Sequence, residues 1–141
     1  MTDTPHQWQA GHVFALETEP VTTQQLVRYA GASDDYNRIH YDLPFAEASG
    51  LGGVIAHGML TMAFMGRAVT DAVGPAGFVR RLSARFVAPV RPGDVVLVEG
   101  KVLEARDEAG TCHVRADLTA RVGGRPVAVG EAELRLPGAS A

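Results

Sequence analysis

One cysteine, no basic run, no long apolar run and no address segment narrow this chain before any motif is read. Cys112 is the sole cysteine among 141 residues, so no internal disulfide can form and nothing asks for an oxidising compartment. It alternates with polar neighbours in a strand-like stretch, which reads as a buried, inert thiol. Lysine and arginine total 13 against 16 acids, a net charge of −3. Without a concentrated positive face, nucleic-acid binding is disfavoured. The most apolar stretch, residues 54–69, contains His57 and Arg67 and is short for a bilayer span. Residues 1–19 carry acids and no apolar core, unlike a secretory signal. The resulting expectation is a cytoplasmic protein with neither membrane nor nucleic acid among its partners. Internal repeats, low-complexity tracts and a glycine-rich phosphate loop are also lacking.

What remains suits one compact domain over residues 1–141. Apolar residues make up 46% and charged residues 21%, and a chain of this length buries a core without staples. Residues 21–30 predict a short helix, capped by Thr22 or Thr23 with Gln25 completing a capping box and Gly31 as terminator. Residues 33–42 are polar and turn-prone. Residues 43–49 predict one or two helical turns, with Asp42 as cap and Pro44 in the first turn. Gly50, Gly52 and Gly53 interrupt the chain. The principal helix spans residues 57–73, apolar nearly all round and so expected to be buried nearly all round. At about 1.5 Å per residue it is about 25 Å long, and something large must wrap it.

Strands supply the wrapper. Leu82, Ala84, Phe86 and Ala88 alternate with Arg81, Ser83, Arg85 and Val87. Cys112, Val114, Ala116, Leu118 and Ala120 alternate with His113, Arg115, Asp117, Thr119 and Arg121. Ala128, Ala132, Leu134 and Leu136 alternate with residues that include Val127, Val129, Glu131 and Glu133. Residues 95–103 add a strand of mixed faces. Turns are expected at 92–94, 107–110 and 123–124, and the short turns between the last three strands make them an antiparallel meander. The fold class is α+β, an antiparallel sheet cupping a long central helix.

Chemistry concentrates in two places. Residues 33–42 read Ser-Asp-Asp-Tyr-Asn-Arg-Ile-His-Tyr-Asp, and residues 55–59 read Ile-Ala-His-Gly-Met. The first holds a carboxylate and an imidazole five positions apart, Asp35 and His40. Histidine exchanges protons near neutral pH, and a carboxylate can orient it or share a water with it. Asn37 between them offers a donor and an acceptor. Gly58 stands at the mouth of the long helix, where backbone N–H groups lack partners and the helix dipole is positive. With no Cβ it lets a carbonyl approach, as an oxyanion donor must. From spacing alone the plainer reading, a polar loop rich in turn formers, competes with catalysis. His57 reads as shaping this entrance, capping it or packing it, with packing favoured. A metal site from Asp35, His40, Asp42 and His57 is conceivable, but no tight ligand spacing of the zinc type is present and no metal is expected.

These two segments together resemble the MaoC-like family of (R)-specific enoyl-CoA hydratases and (3R)-hydroxyacyl-ACP dehydratases. The family pattern runs Gly-Asp-x-Asn-Pro-Ile/Leu-His-x-Asp, then His-Gly-Met, and the likeness extends to residues 85–90 and Gly93-Asp94. The resemblance implies a hotdog fold and a dimer, homomeric or paired with a related hotdog subunit. It assigns catalysis to Asp35 and His40 and substrate binding to Gly58 and Asn37. It implies no cofactor beyond the coenzyme A or acyl carrier protein thioester that is the substrate. The implied reaction is syn addition of water to a trans-2-enoyl thioester, or its reversal. Two other readings on the same fold are an acyl-CoA thioesterase and a non-catalytic acyl-binding subunit. The sequence departs from the pattern at Asp34, where glycine is usual, and at Arg38, where proline is usual. For Arg38 an ion pair with Asp34, or solvent exposure, is favoured over substrate contact. Arg80, Arg81 and Arg85 read as solvated, or as contacts for coenzyme A phosphates or for the acidic face of a carrier protein.

Overall fold

The computed structural model describes residues 8–138. Elements follow in the order β1 (Val13–Glu17), α1 (Thr23–Ser33), a 3-10 turn (Arg38–His40), α2 (Leu43–Ala48), α3 (Gly58–Val73), β2 (Phe78–Phe86), β3 (Leu97–Glu108), β4 (Thr111–Val122) and β5 (Arg125–Pro137). The five strands form one antiparallel sheet in the order β1-β3-β4-β5-β2. Helix α3 packs against all five strands. This is the hotdog fold, a sheet rolled around one helix.

The long central strand β4 carries the alternation most cleanly. Cys112, Val114, Ala116, Leu118 and Ala120 are all buried beneath α3. From the helix, Leu60, Thr61, Phe64, Met65, Ala68, Val69 and Val73 meet them on one face. The opposite face, Met59, Ala63, Arg67, Thr70 and Asp71, is exposed. The helix is therefore not buried all round, as its apolarity alone suggests. The sheet covers only one side of it.

Three further boundaries differ from the sequence expectation. Strand β1 is an addition: residues 12–16 contain an unbroken apolar run, Val13-Phe14-Ala15-Leu16, in which no period of two is visible. Only pairing with β3 reveals that Phe14 points inward. In β5, Val127 and Ala128 are both buried, although the alternation placed Val127 on the polar face. A register shift between Ala120 and Arg121 of β4 marks a bulge, which lets two successive residues face the core. Helix α1 runs through Gly31 and stops only after Ser33. Its terminator is Asp34, in the left-handed region at φ 56°. The Thr22 cap is as expected, its side chain accepting from the Gln25 N–H at 3.1 Å.

Candidate functional site

Asp34 is the starting point of the site. Its positive φ is a conformation that glycine adopts freely and that Asp tolerates better than most residues. The chain thus makes the turn usually made by glycine, with a different residue. The turn throws residues 35–42 back toward α3, and short polar bridges brace them. Asp35 Oδ1 accepts from the Asn37 N–H at 3.2 Å. Asn37 Oδ1 in turn accepts from the Ile39 N–H at 3.2 Å and caps the 3-10 turn. Tyr41 donates its hydroxyl to the Tyr36 carbonyl at 3.1 Å. The Asn37 oxygen is thereby used locally, which leaves its amide nitrogen as the group available to a ligand.

The 3-10 turn delivers His40 into the interior, 7% exposed. Residues 55 and 56 form an extended strap beside it: the Ile55 N–H donates to the Ile39 carbonyl at 3.1 Å, and the Ala56 N–H to the Val90 carbonyl at 2.7 Å. His40 Nδ1 lies 2.7 Å from the Ile55 carbonyl. A carbonyl can only accept, so Nδ1 carries a proton, and in the neutral ring the lone pair is on Nε2. The strap runs directly into α3, which begins at Gly58. The Gly58 N–H has no hydrogen-bond acceptor among the described residues. As the first residue of the helix it sits at the positive end of the dipole.

Asp35, His40 and His57 come together. A carboxylate oxygen of the first and a ring nitrogen of each histidine all lie within 4.8 Å of one another. The two imidazoles stack at 3.7 Å between centroids, 22° from parallel. His57 Nε2 lies 3.1 Å from the Asp35 carbonyl. A cavity of about 450 Å³ opens beside His40 and Gly58, bounded by Ile39, Leu51, Phe86 and Pro89. Its wall is almost wholly apolar, with His40 and Thr61 the polar side chains. The Phe86 ring rests against the Cα of Gly58: a Cβ there would meet its Cδ2 at 2.9 Å. The missing Cβ thus seats Phe86 as well as opening the helix mouth.

The spacing of the trio is compatible with a metal ion. Each imidazole commits one nitrogen to a backbone carbonyl, as metal-bound histidines commonly do, and keeps the other. Asp42, the fourth residue considered from the sequence, is occupied elsewhere. It accepts from Arg38 Nε and Nη2 at 2.9 and 2.7 Å and caps α2 through the Phe45 N–H. The Arg38 hydrogen bonds, followed by the Phe45 N–H, hold the Asp42 carboxyl below the usual carboxylate range.

Arg38 therefore pairs with Asp42, four residues on, and not with Asp34. The left-handed turn at Asp34 ends α1, whereas Asp42 lies one turn beyond Arg38 on the same side. The guanidinium also lies over the Phe45 ring at 4.4 Å. Arg80 and Arg81 approach Glu133 at 3.9 and 4.0 Å on the outer sheet face, and Arg85 has no ion pair among the described residues. Two participants escaped sequence reasoning. For His57 the sequence favours packing or capping, with a metal site beside Asp35 and His40 the less favoured reading, and nothing in it tells that the ring stacks on His40 and faces the Asp35 carbonyl. Arg91 donates to the Leu51 carbonyl at 2.6 Å and fastens the glycine-rich loop below the cavity. The surrounding residues give no signal for this bond.

Residues 7–123 match the family described as MaoC like domain. An (R)-specific enoyl-CoA hydratase of Rhodospirillum rubrum is 31% identical over 118 residues, which cover 83% of this chain and 81% of that protein. The unliganded R-hydratase PhaJ1 of Pseudomonas aeruginosa superposes with a TM-score of 0.83 at 30% identity, covering 92% of this chain and 83% of the other. A fatty acid synthase subunit beta of Aspergillus oryzae is 43% identical over 94 residues, 64% of this chain but only 4% of that far longer protein. The chain thus spans a small fraction of the fungal synthase subunits it matches, and most of the stand-alone hydratase. With the family matched over most of its length and the fold shared with a solved R-hydratase, the chain belongs to the MaoC-like domain family.

Proposed function

We propose that this domain adds water across the double bond of a trans-2-enoyl thioester to give the (R)-3-hydroxyacyl thioester, or runs the reverse dehydration. The observation that carries the reading is the convergence of the Asp35 carboxylate and the His40 ring within 4.8 Å, beside an apolar cavity and the unpartnered Gly58 N–H. Two hydrogen bonds of about 2.8 Å meeting near the tetrahedral angle span roughly 4.6 Å, so one water bridges such a pair. His40 Nε2 and Asp35 hold that water. Its oxygen attacks C3 as the base takes a proton, and charge moves onto the thioester oxygen. The Gly58 N–H donates to that oxygen as the charge grows, helped by the α3 dipole. The proton taken from water is returned to C2, so the site ends as it began. The chemistry is redox-neutral proton transfer and needs no further cofactor. The apolar wall accepts the acyl chain, with the thioester at the polar end.

Strand β2 forms one edge of the sheet. Phe78, Phe86 and Val87 are exposed along or just beyond it. A second hotdog chain, identical or related, laid against this edge would cover both the free backbone groups and these side chains. Light scattering at working concentration is expected to give a dimer mass, and a clean monomer would contradict this arrangement.

The test of the activity is to incubate the protein with crotonyl-CoA, follow loss of the conjugated thioester absorbance, and resolve the product on a chiral phase. The (R)-3-hydroxy product is expected. Release of free thiol without hydration would instead indicate a thioesterase.

A further inference from the structure

His57 is, at 2% exposure, the most deeply buried polar residue of the site, and three observations about it belong together. Its ring stacks on His40 at 3.7 Å. Its Nε2 faces the Asp35 carbonyl at 3.1 Å, so that nitrogen carries a proton and donates it. Its Nδ1 is buried without a hydrogen-bond partner among the described residues. The residue occupies the cap position of α3, yet its side chain makes no capping bond. Serine, threonine or aspartate would cap the helix better. An unpartnered buried nitrogen is a stability cost that an apolar ring of similar shape would avoid. Neither capping nor packing therefore accounts for a histidine here.

We infer that His57 is a positioning residue: one ring holds both the backbone of Asp35 and the plane of His40, and so sets the separation of the acid and the base. This rests on the reading of Asp35 and His40 as the reacting pair. Without His57 the segment at residues 34–37 is held chiefly by exposed short bridges: Asn37 N–H to Asp35 Oδ1, Ile39 N–H to Asn37 Oδ1 and the Tyr41 hydroxyl to the Tyr36 carbonyl. His40 retains its bond to the Ile55 carbonyl but loses the surface that fixes its tilt. Tyr29, from α1, also packs against His57, its ring tilted 56° at 4.9 Å between centroids.

Two substitutions separate the two tasks. His57→Phe keeps a flat ring for stacking and removes the donor. His57→Gln keeps an N–H donor and removes the ring. In His57→Phe the thermal midpoint is expected to stay level or rise, while kcat on crotonyl-CoA falls on the order of 100-fold, as for a small misplacement of reacting groups. KM should change less than threefold. His57→Gln should recover part of the lost kcat. A readout independent of turnover is the solvent exchange of the Asn37 amide, measured by NMR without substrate. It should accelerate at least fivefold in His57→Phe. If Asn37 exchange is unchanged, or if kcat and the thermal midpoint fall together, His57 is merely structural and the inference is overturned. If the exchange accelerates while the wild type itself shows no hydration, the positioning of Asp35 stands and the hydratase reading fails instead.

Discussion

Substituting Gly58 by alanine probes the helix mouth with a single methyl group. That methyl would lie 2.9, 3.0 and 3.2 Å from Cδ2, Cε2 and Cγ of Phe86. Ordinary carbon contacts are about 3.5–4.0 Å, so the ring must retreat by roughly 0.5–1 Å. Phe86 is 45% exposed, which leaves it room to swing outward. The overpacking cost therefore falls near the low end of its usual range, about 1 kcal/mol. Alanine in place of glycine returns up to about 1 kcal/mol through helix propensity, less at a first helical position. The net stability change should lie within about 1 kcal/mol. Turnover is affected differently, because Phe86 is part of the cavity wall. Its displacement and the new methyl both crowd the Gly58 N–H, and loss of an oxyanion donor costs about 10²–10³-fold in kcat. The assay pairs thermal denaturation with crotonyl-CoA hydration. Adding Phe86→Ala should restore stability, and should restore turnover only to the extent that the displaced ring caused the loss. A Gly58→Ala protein that melts like wild type and keeps its turnover within twofold would refute an oxyanion role for this N–H.

Other consequences follow from the loop and the core. Asp34→Gly relieves a positive φ and should raise stability by about 0.5–1 kcal/mol, or about 2–4 °C in thermal midpoint, with turnover unchanged. The Asp42 carboxyl is held below its usual range by Arg38, so it binds protons less readily when folded than when unfolded. Its contribution to stability is present above the ordinary carboxylate range and is lost as pH falls through the lowered value. In Arg38→Ala, NMR titration should find Asp42 moved upward, and the acid limb of stability should start at higher pH. Burial, with Asp107 nearby, pushes the Cys112 thiol up. It should resist alkylation by iodoacetamide at pH 8 in the native protein and react fully once unfolded; rapid native labelling would contradict its placement under α3.

The sequence is most legible where one physical signal acts alone. In β4 an uninterrupted period of two fixes which residues face α3, and the side chains lie as the alternation requires. Helix α3 is announced by its glycine borders and apolar content, but the side left uncovered depends on how far the sheet reaches around it. Strand β1 is concealed because its residues are apolar on both faces, and a period needs contrast. Val127 is misplaced by alternation because a bulge inserts a residue without leaving a local mark. In the candidate site, Asp35, His40 and Gly58 can be singled out because few residue types are suited to the proposed chemistry. His57 cannot, because its contacts span 17 and 22 residues and arise from the path of the strap at residues 54–57. Arg38 illustrates a third limit. Two acids lay within reach, and the left-handed turn at Asp34 decided between them.

The most direct test of the account removes the acid and the base one at a time. Asp35→Asn and His40→Gln keep size and polarity while abolishing proton exchange. Each should leave the thermal midpoint near that of the wild type. Each should lower the rate of crotonyl-CoA hydration by about 10²–10⁴-fold, the scale of positioned acid–base help. Folded variants that hydrate crotonyl-CoA as fast as the wild type would contradict it and move the chemistry away from this pair.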